Sequence, residues 1–232
     1  MITTKTFAPC ILCLALTTAA QAGVFSERQL TLSPAGDADL STGVSTSKTY
    51  THLIDLTSND GGAVINGVTF LAGALTGPNY SLTGAPTTFQ DHSAAQGNDF
   101  DTSSGIYDLT EDFFFGGGAL QTLTLTGLTG GDSYITSFYI GGFAGAQQTL
   151  DADDDGIGFG TYQTDRGEEK VIEYTFIQPL GDTDIAFTFQ AVNNTDGFHQ
   201  YGFSNERVIP EPASVGMLGL AALGLLARRR RS

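Results

Sequence analysis

The feature that most constrains the fold is an alternation of apolar and polar residues with a period of two, repeated in short segments. Residues 120–126, 171–177 and 185–191 each place their large apolar side chains at every second position. Such a segment has one apolar face as a β-strand but not as a helix, and Gly, Asn and Asp turns separate the segments. Because one-sided strands must bury their apolar faces against each other, the sequence predicts an all-β chain folded as a single β-sandwich.

The predicted elements extend this pattern over the body of the chain, residues 23–207, which we treat as one domain. Short strands at regular spacing with glycine-rich turns favour a jelly-roll-like arrangement. We expect residues 120–126 and 133–140 to form a hairpin, and residues 109–115 to form one short helix with Thr110 as its N-cap. The other predicted strands are 50–56, 63–71 with a bulge at Asn66-Gly67, 171–177, 185–191 and 199–208.

The first 22 residues have the three parts of a secretory signal peptide. Lys5 supplies the positive charge, residues 7–20 are mostly apolar, and Ala20 and Ala22 form an A-x-A cleavage site. Both cysteines, Cys10 and Cys13, lie inside this segment. Its removal therefore excludes disulfides, thiolate zinc sites and cysteine nucleophiles from the exported chain.

The charge balance is strongly acidic. The net charge of the chain is −15, and residues 23–209 hold 24 of the 25 acidic residues but only 5 of the 10 basic ones, a net charge of −19. A nucleic-acid-binding protein needs a basic face to neutralise phosphates, so we expect no nucleic-acid partner.

The C-terminus has three parts in a fixed order. Pro210-Glu211-Pro212 is followed by an apolar run at 215–227 and by Arg228, Arg229, Arg230 and Arg231. The two prolines favour an extended segment. The apolar run, expected to be a short helix, measures about 20 Å against the ~30 Å of a bilayer core. It therefore suits a transient transmembrane anchor, with the arginines on the cytoplasmic side by the positive-inside rule.

This tail resembles the PEP-CTERM sorting signal of Gram-negative bacteria, over residues 208–232. Ile209 stands where the family pattern usually has Val. The resemblance implies recognition by an exosortase, a membrane-embedded peptidase or transpeptidase that acts near Pro-Glu-Pro after export through the inner membrane. It also implies a place at the cell surface or in the extracellular matrix, with exopolysaccharide and biofilm as the family context.

A second resemblance covers residues 118–208. Leu123-Thr124-Leu125-Thr126-Gly127-Leu128, followed by Gly130, Tyr134 and Ile135, is similar to a jelly-roll module of surface proteins with this sorting signal. Such sandwiches look like galactose-binding-type domains. A shared fold does not transfer a ligand, so the resemblance implies the architecture only.

One acidic segment has the spacing of a calcium loop. Asp151, Asp153 and Asp155, followed by Gly156, fit D-x-D-x-D-G, but Tyr162 stands at position 12, where a bidentate Glu is needed. The motif is half complete, and the alternative is a solvated acidic turn. We expect no cofactor apart from this candidate Ca²⁺.

Catalytic motifs are not apparent in the sequence. His52, His92 and His199 are far apart and belong to no zinc or triad pattern. We therefore expect a non-enzymatic surface or matrix protein. The alternatives are a Ca-assisted carbohydrate-binding module and a polysaccharide hydrolase, which needs two facing carboxylates. The candidate acids are Glu111, Asp112, Glu168, Glu169 and Glu173, and the candidate sugar-stacking rings are Tyr139, Phe143, Phe159, Tyr162, Phe198 and Tyr201.

Overall fold

The computed structural model describes residues 23–57, 61–84, 88–93, 98–117, 120–141, 146–152, 158–164, 169–191 and 197–209. The helices are α1 (Ala35–Ser41) and α2 (Gly105–Thr110). The strands are β1 (Val24–Gln29), β2 (Thr49–Asp55), β3 (Val64–Ile65), β4 (Val68–Thr69), β5 (Leu71–Ala72), β6 (Thr76–Gly77), β7 (Tyr80–Thr83), β8 (Thr88–Asp91), β9 (Asp112–Gly117), β10 (Gln121–Thr126), β11 (Ser133–Ile140), β12 (Ala146–Ala152), β13 (Gly158–Thr164), β14 (Lys170–Ile177), β15 (Asp184–Ala191) and β16 (Gly197–Val208).

Two sheets form a sandwich with jelly-roll connectivity. Sheet I has the order β1-β14-β11-β16-β2-β5, and sheet II has the order β13-β12-β15-β10-β7-β6. From β10 onward the chain crosses between the sheets at almost every connection, and only β12 and β13 are consecutive in one sheet. Strands that neighbour each other in space are thus distant in sequence, as in a double Greek key. The predicted all-β sandwich of jelly-roll type is confirmed.

The alternating segments supply the core between the sheets. Leu123 and Leu125 of β10 are fully buried, and so are Phe187 and Phe189 of β15 and Ile172 of β14. The ring of Phe138 from sheet I meets the edges of Phe187 and Phe189 at centroid distances of 4.9 and 5.3 Å. Edge-to-face contacts of this kind stabilise the core beyond the burial of the rings, and aromatic side chains fill this part of it.

Sheet I is buried on its second face as well. The two helices and the β3–β4 hairpin cover part of that face and form a second apolar cluster. Its largest members include Phe70, Ile106, Phe113, Tyr139 and Tyr201, each at most 1% exposed. Sheet I is therefore the middle layer over this region.

The predicted hairpin of residues 120–126 and 133–140 is wrong, although both strands exist. β10 pairs with β7 and β15 in sheet II, whereas β11 pairs with β14 and β16 in sheet I. The 127–132 connection crosses the sandwich, helped by positive φ angles at Gly127 and Gly131. The apolar side chains of the two strands therefore meet face to face across the core instead of lying side by side in one sheet.

Two other local predictions are also wrong. The strand predicted at 63–71 is interrupted by a hairpin, β3–β4, because Asn66 and Gly67 both have positive φ, the geometry of a type I′ turn rather than a bulge. The helix predicted at 109–115 starts earlier, with Ser104 as its N-cap, and ends at Thr110. Residues 112–117 instead form β9, which pairs with the first residues of β16.

Candidate functional site

The last strand of the sandwich runs directly into the C-terminal sorting segment. β16 ends at Val208, which lies opposite Ser133 in the sheet, and only Ile209 separates it from Pro210. Two ion pairs flank this end of the strand: Arg207 Nη2 is 2.6 Å from Asp132 Oδ2, and Lys48 Nζ is 2.7 Å from Glu206 Oε2. The sorting segment predicted at 208–232 therefore begins at the end of a central strand of sheet I.

The residues predicted for sorting and cleavage lie outside the described residues. They are Pro210, Glu211, Pro212, Arg228, Arg229, Arg230 and Arg231 at one end and Ala20 and Ala22 at the other. Within the described part of the chain, neither helix has the length and apolar character that crossing a bilayer requires.

Of the three candidate calcium ligands, only Asp151 is among the described residues. Asp151 belongs to strand β12, opposite Gly158 of β13 and Thr188 of β15, so a strand occupies the position where the sequence predicted the start of a loop. Its Oδ1 atom is buried and lacks a hydrogen-bond partner among the described residues. Asp153 and Asp155 lie outside those residues. The described ranges bring no three acidic, histidine or cysteine side chains together as a metal site.

The outer surface of β7, β10 and β15 in sheet II is a face of hydroxyl groups. The side chains opposite the buried leucines of β10 point outward, where Thr122 lies between Thr83 of β7 and Thr188 of β15. Thr124 lies beside Ser81 in the next row. The large aromatic side chains of these three strands, Tyr80, Phe187 and Phe189, all point into the core. This hydroxyl face can hold water or polar groups by hydrogen bonding, but these strands offer no ring for sugar stacking.

The fold brings together two of the three histidines that the sequence leaves far apart. His92 and His199 both pack against the ring of Phe113, at centroid distances of 6.0 and 4.6 Å. Nδ1 of His92 is 3.2 Å from the hydroxyl of Tyr201 and 3.2 Å from the carbonyl oxygen of Thr110. A carbonyl only accepts, so the second contact requires the proton of the neutral ring on Nδ1.

Burial sets the electrostatics of this histidine cluster. Desolvation, with a smaller contribution from His92, lowers the pKa of His199 to about 4. Desolvation also raises the pKa of Tyr201 well above its usual value, and the charge of Glu169 acts in the same direction. At neutral pH His199 is therefore an uncharged group of sheet I, buried against Phe113. No sequence pattern indicates this cluster, because its members come from β9, β16 and the residue that follows β8.

Three of the five acids considered for hydrolysis are buried or paired with a base. Asp112 is 5% exposed and accepts a 2.6 Å hydrogen bond from Thr57, and Glu169 is 1% exposed. Glu173 forms an ion pair with Arg28 at 2.9 Å. Glu168 lies outside the described residues. Of the candidate stacking rings, Tyr139 and Tyr201 are buried and cannot meet a sugar, whereas the structure does not describe the side chains of Phe143, Phe159, Tyr162 and Phe198.

Comparison with solved structures gives distant likenesses. TmCBM61, solved in complex with β-1,4-galactotriose, is 18% identical over 56% of this chain and 88% of its own, with a TM-score of 0.37. The CBM22-1–GH10 modules of Clostridium thermocellum xylanase 10B, complexed with xylohexaose, are 13% identical over 57% of this chain and 26% of their own, with a TM-score of 0.37. The enzymatically active domain of bacteriophage CBA120 tailspike protein 4 is 14% identical over 56% of this chain and 19% of its own, with a TM-score of 0.33. Likeness at this level carries no argument about ligands.

Comparison with protein families gives a specific match at the C-terminus. No curated protein matches the chain. The model of the PEP-CTERM protein-sorting motif matches residues 208–231, beginning at the last residue of β16. The chain therefore carries a PEP-CTERM sorting motif, which marks it for exosortase-targeted export to the cell surface or the extracellular space of a bacterium.

Proposed function

We propose that this protein is a non-enzymatic β-sandwich that an exosortase processes and that then serves at the cell surface or in the exopolysaccharide matrix of a Gram-negative bacterium. The observation that carries the proposal is the sorting motif at residues 208–231, which begins at the last residue of β16. The inner membrane holds the protein only until the peptidase has acted.

The chemistry of the described residues supports a role without catalysis. Asp112, Glu169 and His199 are 5, 1 and 7% exposed, so a polysaccharide chain has no access to them. The hydroxyl face of sheet II and the acidic body together favour a hydrated surface. A hydrolase assay on matrix polysaccharide provides the direct counter-test, since turnover would refute the non-enzymatic role.

The test of sorting is the intact mass of the protein recovered from inner membrane, outer surface and medium. We expect a surface or medium form that lacks residues 1–22 and the residues beyond Pro-Glu-Pro, with any extra mass on the new C-terminus identifying the attached group. The matched variant replaces Pro210, Glu211 and Pro212 with Ala, and it should accumulate uncut in the inner membrane. Equal processing of this variant would contradict the role of the motif.

A second candidate function is calcium-assisted carbohydrate binding, and the observation in its favour is a buried carboxylate oxygen. Asp151 Oδ1 is buried without a hydrogen-bond partner among the described residues, an arrangement that a cation would stabilise. We expect Ca²⁺ to raise the Tm and EDTA to lower it, with about 2.7 kcal/mol of stabilisation at 100 times the Kd. Asp151→Asn should remove the shift, whereas Asp37→Asn, on the exposed face of α1, should keep it. An unchanged Tm at millimolar Ca²⁺ would exclude the metal, and a glycan array tests sugar binding separately.

A further inference from the structure

Four aliphatic side chains remain exposed at one end of the sandwich. They are Val24, Ile177, Leu180 and Ile209, with exposed fractions of 63, 43, 76 and 63%. They make up half of the eight large apolar side chains that are exposed among the described residues. We call these four residues the tip patch.

The strand register places the tip patch where β16 leaves the sheet. Ile177 lies opposite Ser133, and Ser133 lies opposite Val208, so the ends of β14, β11 and β16 form one row. Val24 begins the adjacent strand β1, opposite Thr175. Leu180 lies in the turn after β14, close enough that a Cβ on Gly131 would come within 3.1 Å of its Cδ2 atom. The tip patch therefore surrounds the exit of the sorting segment.

The covering layer of sheet I does not hide this end. Arg28 of β1 donates hydrogen bonds to the carbonyl oxygens of Ser41 and Thr42 at the end of α1, and it lies opposite Val171, six residues along β14 from Ile177. Helix α1 thus covers the region around Val171, whereas Ile177 is 43% exposed at the uncovered end.

The length of the connecting segment limits how far this end can be from a membrane. Seven residue steps separate Val208 from Val215, the first residue of the apolar run. A fully extended chain covers at most about 25 Å over that number of residues. When the apolar run enters a bilayer, the tip patch is therefore held near the surface of the same bilayer.

We propose that this end of the sandwich rests on the lipid bilayer, with the tip patch in the membrane interface. The inference depends on the proposed function only in that the sorting segment enters the membrane. The apolar run has 13 residues and is too short to span the hydrocarbon core comfortably. A weak anchor becomes stable when a second membrane contact is added, and the tip patch supplies that contact before the peptidase acts.

The charges near the tip patch indicate that the contact is apolar rather than electrostatic. Lys48 and Arg207 are each paired with a carboxylate, which leaves Asp182 and Asp184 as the additional charges of the adjacent turn. An anionic headgroup gains nothing from this arrangement. A zwitterionic bilayer should therefore be sufficient, with little dependence on salt.

The experiment uses the exported form, residues 23–232, in phosphatidylcholine nanodiscs, and because this form has no cysteine an introduced thiol is the only one. A nitroxide label is placed at Leu180→Cys, and its exposure to oxygen and to a water-soluble nickel complex is measured by electron paramagnetic resonance. Leu120→Cys is the matched control, because Leu120 is 52% exposed next to β10 at the opposite end of the sandwich. A third label, Ala222→Cys, reports whether the apolar run is in lipid.

We expect the labels at positions 222 and 180 to be protected from nickel and the label at position 120 to be accessible. Leu180→Asp should weaken nanodisc binding about tenfold, because it removes the burial of one leucine side chain, whereas Leu120→Asp should leave binding unchanged.

If the label at 222 is in lipid and the label at 180 is in water, the inference is wrong while the sorting function stands. Protection at 180 only when an exosortase is present would assign this end to the peptidase and also overturn the inference. A label at 222 in water would instead refute membrane insertion itself.

Discussion

The buried histidine of β16 should make the stability of the sandwich depend on pH. His199 is 7% exposed, and desolvation lowers its pKa to about 4, whereas an unfolded chain has a histidine pKa of about 6.5. Between these values the unfolded state binds a proton that the native state does not, so the free energy of unfolding falls as the pH is lowered. The contribution is fully present above pH ~6.5 and is lost by pH ~4, a change of about 3 kcal/mol.

The assay is urea unfolding at pH 7.0 and 5.5, followed by circular dichroism. Over this interval His199 should reduce the free energy of unfolding by about 1 kcal/mol, since most carboxylates titrate below it. His199→Gln keeps a polar side chain of similar length that does not titrate. The difference in the free energy of unfolding between the wild-type protein and this variant should therefore shrink as the pH falls. His52→Gln is the control: burial also lowers the pKa of His52, but this variant retains the contribution of His199.

Parallel pH profiles for the wild-type protein and His199→Gln would refute the reasoning. They would mean that water reaches the ring in the native state, or that the cluster around Phe113 relaxes when His199 is protonated.

Three further predictions concern packing and local structure, each measured as the free energy of unfolding. Phe187→Ala should cost about 3–5 kcal/mol, because it removes a fully buried ring that meets Phe138 and Tyr174 edge-on, and a cost below 1 kcal/mol would contradict the core assignment. Ser104→Ala should cost about 1 kcal/mol, because the Ser104 side chain accepts the Tyr107 N–H at the start of α2, whereas Ser103→Ala at an exposed position should change little. Gly105→Ala should destabilise, because the new Cβ would lie 1.9 Å from the carbonyl oxygen of Val64, whereas Gly36→Ala in α1 meets no atom within 4 Å and should stabilise by up to about 1 kcal/mol. The same sign for both glycine variants would contradict the close approach of α2 to β3.

Much of the strand content could be predicted from the sequence. The strand at 133–140 has exactly the predicted bounds, and those at 171–177 and 185–191 differ by one residue at their first position. The apolar positions predicted to share a face, such as Ile172, Tyr174 and Phe176, do lie together in the core. The prediction of strands succeeds because side chains alternate between the two faces of a strand, a pattern visible within a few residues of sequence.

The pairing of the strands could not be predicted from this local alternation. β10 and β11 are neighbours in sequence with compatible patterns, so a hairpin was the natural prediction, yet each pairs with strands elsewhere in the chain. The predicted helix at 109–115 failed for a related reason. Phe113 is buried against His199 and Tyr201, and pairing with β16 draws this segment into a strand despite its helical spacing.

The sequence by itself determined the C-terminal sorting motif and the one-sided strands, because each depends on residues that are close together in the chain. Only the tertiary structure decided which strands pair, and which side chains meet at the histidine cluster and at the tip patch. His92 and Tyr201 come within 3.2 Å although 109 positions separate them, and no local pattern encodes such a contact. The position of the sorting segment beside Ile177 and Leu180 likewise follows from β16 lying next to β11, an arrangement fixed by the packing of the whole sandwich.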